Sequence, residues 1–289
     1  MIEHASEGNL MAKTIDPVFT PETLRVPELI SQILNDDANS KPSLQLVGCV
    51  DKDPKTAAII LAGGTGERFG REGGKQLVEI AGKPILTWSA EAFDAVGDIG
   101  LIVIVCPEDR QEEYLKRAID PFPFATPVVL APSGSIRQES AYLGLEAVPD
   151  DFEFVVIHDG ARPLVTPELI LHTINTVKGN IDADGAVVAH PAIDTLKVVE
   201  DGAIAGTPDR RVFWNAQTPQ VFRLGIYRRA QASAMADGFV GTDDSSLIER
   251  LGGRVLVVEG KRDNIKLTVP EDYTLLASAV RQMFEDDLA

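Results

Sequence analysis

The sequence predicts an α/β protein with a mainly parallel sheet and a projecting β-arm. From residue 56 onwards, short apolar runs that end in glycine or proline alternate with longer stretches of helical periodicity. Strands that alternate with helices form right-handed βαβ units, whose strands lie parallel. Residues 191–222 break this rhythm, because two short extended pieces flank the turn-rich AIAGTPD, and we interpret about 191–215 as the arm.

The individual elements follow from the same patterns. The first strand is TAAIILAG, an apolar run that starts at Thr56 and ends in glycine, as buried strands do. Further strands are predicted at 101–106, 127–130, 154–157, 185–190 and 255–258, with the extended pieces of the arm at 195–199 and 211–214. Helices are predicted at 85–96, 111–118, 137–147, 167–178, 224–236, 245–251 and 270 to about 284.

Residues 1–55 have a different character from the rest. The segment is rich in proline and carries a single helical pattern, at about 27–35. We interpret it as a loosely ordered extension that precedes a single domain, 56–289. We expect no second domain after Ala289.

Composition excludes several classes of function. The chain has 289 residues and a formal net charge of −17, which disfavours binding to nucleic acid or to anionic membranes. Cys49 and Cys106 form no CxxC pattern, which argues against metal or redox chemistry and suits a reducing compartment. No apolar run reaches the roughly 18–20 residues of a membrane span, and the N-terminus lacks the features of a signal peptide. We therefore expect a cytoplasmic protein.

A glycine-rich loop follows the first strand, LAGGTGERFGREGGKQ at 61–76. Its glycines let backbone N–H groups approach phosphate oxygens, and Arg68 and Lys75 add positive charge. A Walker A loop would need glycine at Phe69 and Ser or Thr at Gln76. A dinucleotide fingerprint would also need glycine at Phe69 and has no use for Lys75. The loop therefore indicates phosphate binding of another type.

The loop resembles the opening signature of nucleotidyltransferases that act on sugar and polyol phosphates. Four later motifs narrow the resemblance to the 2-C-methyl-D-erythritol 4-phosphate cytidylyltransferase family, across about 56–278: HDGARP (158–163), AQTPQVF (216–222), TDDSSLIERLG (242–252) and RDNIKLT (262–268). The resemblance implies a three-layer, Rossmann-like sheet of the nucleotidyltransferase type. It also implies CTP and a polyol phosphate as substrates, and a homodimer whose arm residues complete the neighbouring site.

The resemblance assigns nucleotide-binding residues. The backbone of Ala62 and Gly63 and the SGSIRQES segment (133–140) would read the cytosine, and Asp159 would hold Mg²⁺. Ser135 stands where relatives often carry an acidic residue, which leaves one base contact open. The nucleotide-binding residues expected in this way are Ala62, Gly63, Gly64, Gly66, Gly134, Ser140 and Asp159.

A second set of residues would hold the polyol phosphate. Lys266 lies between two apolar residues, so an extended backbone there would turn its side chain away from the core. Thr195 and Arg210, in DTLK and TPDRR, would reach the site of the neighbouring subunit. The residues expected in this role are Arg162, Thr195, Arg210, Thr218, Thr242 and Lys266.

The implied reaction is an in-line attack of the polyol phosphate on the α-phosphorus of CTP. Arg68 and Lys75 would stabilise the charge that develops on the phosphoryl oxygens. No general base is needed, because a phosphate dianion is already nucleophilic. His158 is expected to be a packing residue.

Three alternatives remain open at the level of sequence. A ribitol 5-phosphate cytidylyltransferase shares the glycine loop, the HD-x-x-RP motif and TPQ. A non-catalytic sensor of nucleotides or sugar phosphates would keep the cleft but has no need for both Arg68 and Lys75. A dinucleotide-dependent oxidoreductase fits least, because the glycine fingerprint is interrupted at Phe69.

Overall fold

The computed structural model describes residues 55–64 and 74–286, with side chains up to residue 283. The predicted extension before Lys55, including its helix at 27–35, lies outside the described residues. So do Gly66 and Arg68 of the glycine-rich loop.

A seven-stranded sheet forms the centre of the molecule, in the order β11-β7-β10-β6-β1-β4-β5. All neighbouring pairs are parallel except those of β10, which runs antiparallel to β6 and β7. The strands of this sheet are β1 (Thr56–Leu61), β4 (Ile99–Cys106), β5 (Val128–Pro132), β6 (Phe154–Asp159), β7 (Gly185–Pro191), β10 (Trp214–Arg223) and β11 (Val255–Glu259). Two separate hairpins pair β2 (Glu79–Ile80) with β3 (Lys83–Pro84) and β8 (Val198–Glu200) with β9 (Ala203–Gly206).

Helices cover both faces of the sheet and give three layers. The helices are α1 (Ile85–Asp94), α2 (Gln111–Tyr114), α3 (Arg137–Glu146), α4 (Pro167–Lys178), α5 (Leu224–Ala236), α6 (Asp244–Arg250) and α7 (Pro270–Asp286). Helices α1 and α4 pack on one face, where Ile60 and Ile174 share the main apolar core. Helix α3 packs on the other face, with Gly144 directly against Ile59. Successive residues of β1 thus face opposite layers, as the pleat requires.

The predicted α/β class and parallel sheet are confirmed, but the sequence prediction missed β10. Its buried part carries Gln217, Thr218, Pro219 and Gln220 instead of an apolar run. A proline and three polar residues argue against a central strand by pattern alone. The strand is tolerated because its register with β7 shifts between Ala216 and Gln220, so pairing is interrupted where the proline lies.

The arm also differs in detail from the prediction. AIAG, expected to be a turn, is strand β9, and the turn lies at Asp201 and Gly202, which both have positive φ values of 49° and 78°. The predicted extended piece 211–214 is instead the 3₁₀ turn Arg210–Val212 followed by the start of β10. At its base the arm is closed by the pairing of Trp214 with Pro191.

Other differences are small. The predicted helix 111–118 is the short α2 continued by a π-helical turn, Leu115–Ile119. The β2–β3 hairpin was not predicted, because two-residue strands give no periodic signal. Among the described residues, no helix combines the length and the apolar character needed to cross a membrane.

Candidate active site

The carboxylate of Asp159 lies at the centre of the candidate site. Asp159 is the last residue of β6, at the carboxyl end of a central strand. Its Oδ2 accepts a hydrogen bond from Lys266 Nζ at 2.8 Å, and its Oδ1 accepts one from Arg137 Nε at 3.2 Å. Arg162 Nε lies 3.6 Å from Oδ2. Three cations therefore surround one carboxylate.

These cations determine the protonation state of Asp159. Burial by itself would raise the pKa of the carboxyl group, because it disfavours the charged form. The positive charges of Arg137, Lys266 and Arg162 more than offset burial and hold the pKa far below its ordinary range. Asp159 is therefore ionised throughout the physiological range.

The neutral side chain of His158 forms hydrogen bonds next to the end of β6. The backbone N–H of Asp159 donates to Thr218 Oγ1 at 3.0 Å, which leaves the hydroxyl hydrogen of Thr218 for His158 Nδ1 at 3.1 Å. His158 Nε2 faces the carbonyl oxygen of Arg162 at 3.3 Å, and a carbonyl only accepts, so Nε2 carries the proton. Burial lowers the pKa of His158 to about 3, which keeps the ring neutral. His158 also packs against Phe93, as expected of a packing residue.

Arg137 and Asp244 belong to the same cluster, and the sequence analysis missed them. Arg137, the first residue of α3, donates through Nη1 to Asp244 Oδ2 at 2.6 Å as well as through Nε to Asp159. Asp244 in turn accepts a 2.5 Å hydrogen bond from the Tyr227 hydroxyl. The signal for Arg137 was present, since SGSIRQES follows a strand and opens a helix. Nothing in the sequence indicated a pairing across 107 positions.

Two cavities open on this cluster. We call the one beside β1 and the glycine-rich loop the glycine-side cavity, of about 610 Å³, and the one beside β10 and α6 the β10-side cavity, of about 430 Å³. Both are lined by Arg137, Asp159 and Lys266. These three residues form the wall where the cavities meet, which we call the junction.

The glycine-side cavity contains most of the predicted nucleotide-binding residues that the structure describes. Gly63 and Ser133 come so close that a Cβ on Gly63 would lie 2.2 Å from Ser133 Cβ, so the loops after β1 and β5 meet only with glycine there. Lys75 is buried in the wall at the end of the loop. The cavity is lined by Leu61, Gly63, Gly64, Lys75, Gln76, Pro107, Ser133, Gly134, Ser135, Ile136, Arg137, Ser140, Asp159, Ala161, Lys266 and Thr268.

Two groups that were predicted to bind the cytosine base form hydrogen bonds within the protein. Ala62 is buried and is not among the lining residues. Its N–H donates to Val105 O at 2.7 Å, and its carbonyl accepts from Tyr114 at 3.0 Å. A ligand can therefore use only the second lone pair of that carbonyl. Ser140 Oγ accepts from Gly134 N at 3.1 Å and donates within the same turn, so this hydroxyl shapes the loop that faces the cavity.

The β10-side cavity holds four of the predicted polyol-phosphate residues. Arg162, Thr218, Thr242 and Lys266 all line it, with Lys266 on an irregular segment instead of a strand. The neighbours of Lys266 pack into a separate apolar core, so the expected alternation of sides is present. Away from the junction the lining becomes acidic and hydroxyl-rich, with Asp243, Ser245, Ser246 and Glu249.

Thr195 and Arg210 lie elsewhere. Both are exposed on the arm segment, and neither lines the glycine-side or the β10-side cavity. The guanidinium of Arg210 donates to the carbonyl oxygen of Ile193 at the base of the arm. Within one chain, therefore, the arm is not part of the site.

The donor set at the junction fits a metal ion that arrives with its substrate. In the described part of the chain, no three His, Cys, Asp or Glu side chains are grouped to hold a metal. Mg²⁺ usually takes only one or two protein carboxylates and completes its shell with phosphate oxygens and water. The ionised Asp159 carboxylate, facing both cavities, meets that requirement.

Comparisons of the sequence with a family model and with known proteins all indicate the same family. A family model described as 2-C-methyl-D-erythritol 4-phosphate cytidylyltransferase matches residues 56–282. A protein of that name from Caldanaerobacter subterraneus is 41% identical over 227 residues, which cover 78% of this chain and 99% of the relative. The protein of the same name from Syntrophotalea carbinolica is 42% identical over 218 residues, which cover 75% of this chain and 92% of that relative.

Solved structures agree with the sequence comparison. The 4-diphosphocytidyl-2C-methyl-D-erythritol synthase of Anaerococcus prevotii superposes with a TM-score of 0.69 at 30% identity, covering 78% of this chain and 96% of that one. The 2-C-methyl-D-erythritol 4-phosphate cytidylyltransferase of Thermus thermophilus superposes with a TM-score of 0.63 at 28% identity. The match covers 78% of this chain and 98% of that one. The chain therefore belongs to the 2-C-methyl-D-erythritol 4-phosphate cytidylyltransferase family.

Proposed function

We propose that this protein transfers CMP from CTP to 2-C-methyl-D-erythritol 4-phosphate, giving 4-diphosphocytidyl-2-C-methyl-D-erythritol and pyrophosphate, a step in isoprenoid precursor synthesis. Family membership supports the choice of substrates. The observation that carries the mechanism is the pair of cavities joined at Arg137, Asp159 and Lys266. Two substrates bound one in each cavity meet at this junction.

CTP occupies the glycine-side cavity. Gly63 and Gly134 line this cavity and present backbone, with no side chain, to a bound base. A side chain at either position would collide with Ser133 or Glu139, so glycine is required for the loops to pack there. The triphosphate lies along the glycine-rich loop toward Lys75, whose ammonium group stabilises the charge that builds on the α-phosphoryl oxygens. Arg68 is assigned the same role by its place in the motif.

The polyol phosphate occupies the β10-side cavity with its phosphate at the junction. Lys266 and Arg162 supply positive charge at that end, and the hydroxyl and carboxylate groups of Ser245 and Asp243 suit polyol hydroxyls at the other. An acceptor phosphate oxygen forms the new bond to the α-phosphorus of CTP. The bond from the α-phosphorus to the bridging oxygen breaks, and pyrophosphate leaves with the electron pair.

No proton transfer is needed in this step, because the attacking phosphate is already ionised. No described histidine lines either cavity. His158 is fully buried, and its ring is neutral. The chain's own contribution is therefore to position two anions and to stabilise the charge that develops between them.

Three further features belong to the proposal. Mg²⁺ bound to Asp159 and to the triphosphate would neutralise part of the negative charge of CTP. The protein acts as a homodimer in which Thr195 and Arg210 of each arm reach the acceptor cavity of the other subunit, which their exposure permits. The reaction takes place in the cytoplasm, where the free Cys106 thiol stays reduced.

The decisive experiment follows pyrophosphate release from CTP and Mg²⁺ with each acceptor added separately. Release with 2-C-methyl-D-erythritol 4-phosphate and none with D-ribitol 5-phosphate is the expected result. Release only with ribitol 5-phosphate would overturn the acceptor but keep the cavities and the chemistry. Replacing CTP by UTP, ATP or GTP in the same assay tests the nucleotide, and equal rates with any of them would contradict the base assignment.

A further inference from the structure

One guanidinium nitrogen of Arg137, at the junction, has no hydrogen-bond partner among the described residues. Nε donates to Asp159 at 3.2 Å and Nη1 donates to Asp244 at 2.6 Å. Nη2 makes no hydrogen bond to any described residue. The side chain is 32% exposed and lines both cavities. The two N–H donors of Nη2 thus have no partner among the described residues, and they belong to a side chain that lines both cavities.

The two carboxylates leave this guanidinium little freedom. The guanidinium group is planar, and hydrogen bonds hold two of its nitrogens, Nε and Nη1. The position of the third nitrogen, Nη2, is therefore fixed as well. Lysine, a point charge on a flexible stem, has no equivalent arrangement. Arg137 therefore has the pre-organisation expected of a group that binds developing charge, since its orientation costs nothing when the reaction occurs.

A buried chain of hydrogen bonds holds Asp244 itself. Asp244 lines neither cavity, and its Oδ1 accepts from Tyr227 at 2.5 Å, while Gln231 Nε2 donates to the Tyr227 oxygen at 2.7 Å. Tyr227 stacks on Phe222 of β10, with ring centroids 5.0 Å apart. Burial, followed by the charge of Asp244, raises the pKa of Tyr227 well above its ordinary value, so the phenol stays protonated and donates.

The charge balance at the junction supports a role toward an anion. Arg137, Arg162 and Lys266 pair with Asp159 and Asp244, so this ion-paired cluster of five side chains carries one surplus positive charge. The carboxylates of Asp243 and Glu249 also line the β10-side cavity but form no ion pair with these cations. Buried charge is costly unless it is compensated. A phosphoryl group at the junction would compensate it.

We propose that Arg137 is a phosphate-binding residue whose Nη2 donates to the phosphoryl oxygens that meet at the junction, and that Asp244 and Tyr227 are positioning residues for it. The inference rests on the proposed function for the identity of the two phosphates. It adds a cation on α3 to those that the motif assigns to the glycine-rich loop.

The test compares Arg137→Met and Arg137→Lys with the wild type. Arg137→Met is expected to lower kcat on the order of 10²–10³-fold. Arg137→Lys should recover only part of this loss, because lysine lacks the fork. Calorimetry with Mg²⁺ should show that Arg137→Met weakens binding of CTP but leaves binding of cytidine unchanged. Arg228→Met is the matched control, since Arg228 pairs with Val148 O and Asp150 away from both cavities.

Tyr227→Phe tests the positioning chain, because it keeps the ring against Phe222 and removes only the hydroxyl. We expect kcat to fall on the order of tenfold with cytidine binding unchanged. Tyr273→Phe is its control for the same chemical change outside the site, since it removes an exposed 3.1 Å hydrogen bond to Glu79 O.

The outcomes separate the two proposals. Near-normal turnover and CTP binding in Arg137→Met, beside an active wild type, would refute this inference alone. An equal loss of cytidine and CTP binding in that variant would also refute it, since the role of Arg137 would then be to hold the fold of the site. A wild type that neither binds CTP nor releases pyrophosphate would refute the proposed function instead.

Discussion

Lys266 Nζ lies 2.8 Å from Asp159 Oδ2, although the two residues are 107 positions apart in the chain. The pair stands at the junction of the two cavities, where Lys266 faces both substrates of the proposed reaction. The carboxylate that is proposed to hold Mg²⁺ with CTP is thus paired with protein cations.

Lys75→Ala is expected to lower kcat on the order of 10²–10³-fold, because one pre-organised cation beside the α-phosphoryl group is lost. Steady-state pyrophosphate release measures the effect, and circular dichroism checks that the variant is folded. Lys116→Ala is the control, since Lys116 is an exposed residue paired with Glu112 on the surface. A folded Lys75→Ala protein with turnover within a few-fold of the wild type would contradict the assignment of Lys75.

Mg²⁺ is expected to bind only together with CTP. Three cations already lie within hydrogen-bonding or ion-pairing distance of Asp159, so a lone divalent ion meets net repulsion there. Calorimetric titration of Mg²⁺ into the free protein should give no binding heat, and titration of CTP should depend strongly on Mg²⁺. Asp159→Asn should abolish most of that dependence and lower kcat about 10²-fold or more. Tight binding of Mg²⁺ to the free wild type would count against this arrangement.

His158→Gln is expected to remove an acid-sensitive contribution to stability. Burial lowers the pKa of His158 to about 3 in the folded protein, whereas the unfolded value is about 6.5. Between these values the unfolded chain binds one more proton, so the free energy of unfolding falls as pH falls, by about 1.4 kcal/mol per unit. Glutamine offers an acceptor and a donor without titrating.

Urea unfolding of wild type and His158→Gln at several pH values between 4 and 7 measures this contribution. Carboxylates titrate in both proteins, so the difference between the two slopes isolates the histidine. The wild type should lose stability more steeply below pH 6.5. Parallel curves would show that His158 takes up no extra proton on unfolding.

A mixture of two inactive variants is expected to recover activity if the arms complete neighbouring sites. Lys75→Ala disables the nucleotide side of a site, and Arg210→Ala disables the exposed arm residue that serves the partner. In a randomly mixed dimer population, about a quarter of all sites are intact. Co-expression followed by the pyrophosphate assay measures this. Activity that remains the average of the two variants alone would argue against shared sites, as would an Arg210→Ala protein with normal turnover.

Much of the fold follows from local patterns in the sequence. The strands β1, β4, β6, β7 and β11 are apolar runs of four to eight residues, and a run of this kind forms a buried strand wherever helices cover both faces of a sheet. Strand β10 was missed because its stability comes from its neighbours: β6 and β7 pair with its backbone on both sides, which no property of AQTPQVF predicts. Likewise AIAG forms a strand only because a tight turn at Asp201 and Gly202 brings β8 against it.

The same division holds for the candidate site. By itself the sequence determined the class of fold, the phosphate-binding character of the glycine-rich loop and, through its ordered motifs, the family. These are encoded in short segments, where spacing fixes geometry. Only the tertiary structure placed Arg137 and Lys266 on either side of Asp159 and linked Asp244 to Tyr227 behind them. Such contacts join residues from different strand ends, and their distances depend on the packing of the whole sheet, because no local pattern specifies which loops meet at its edge.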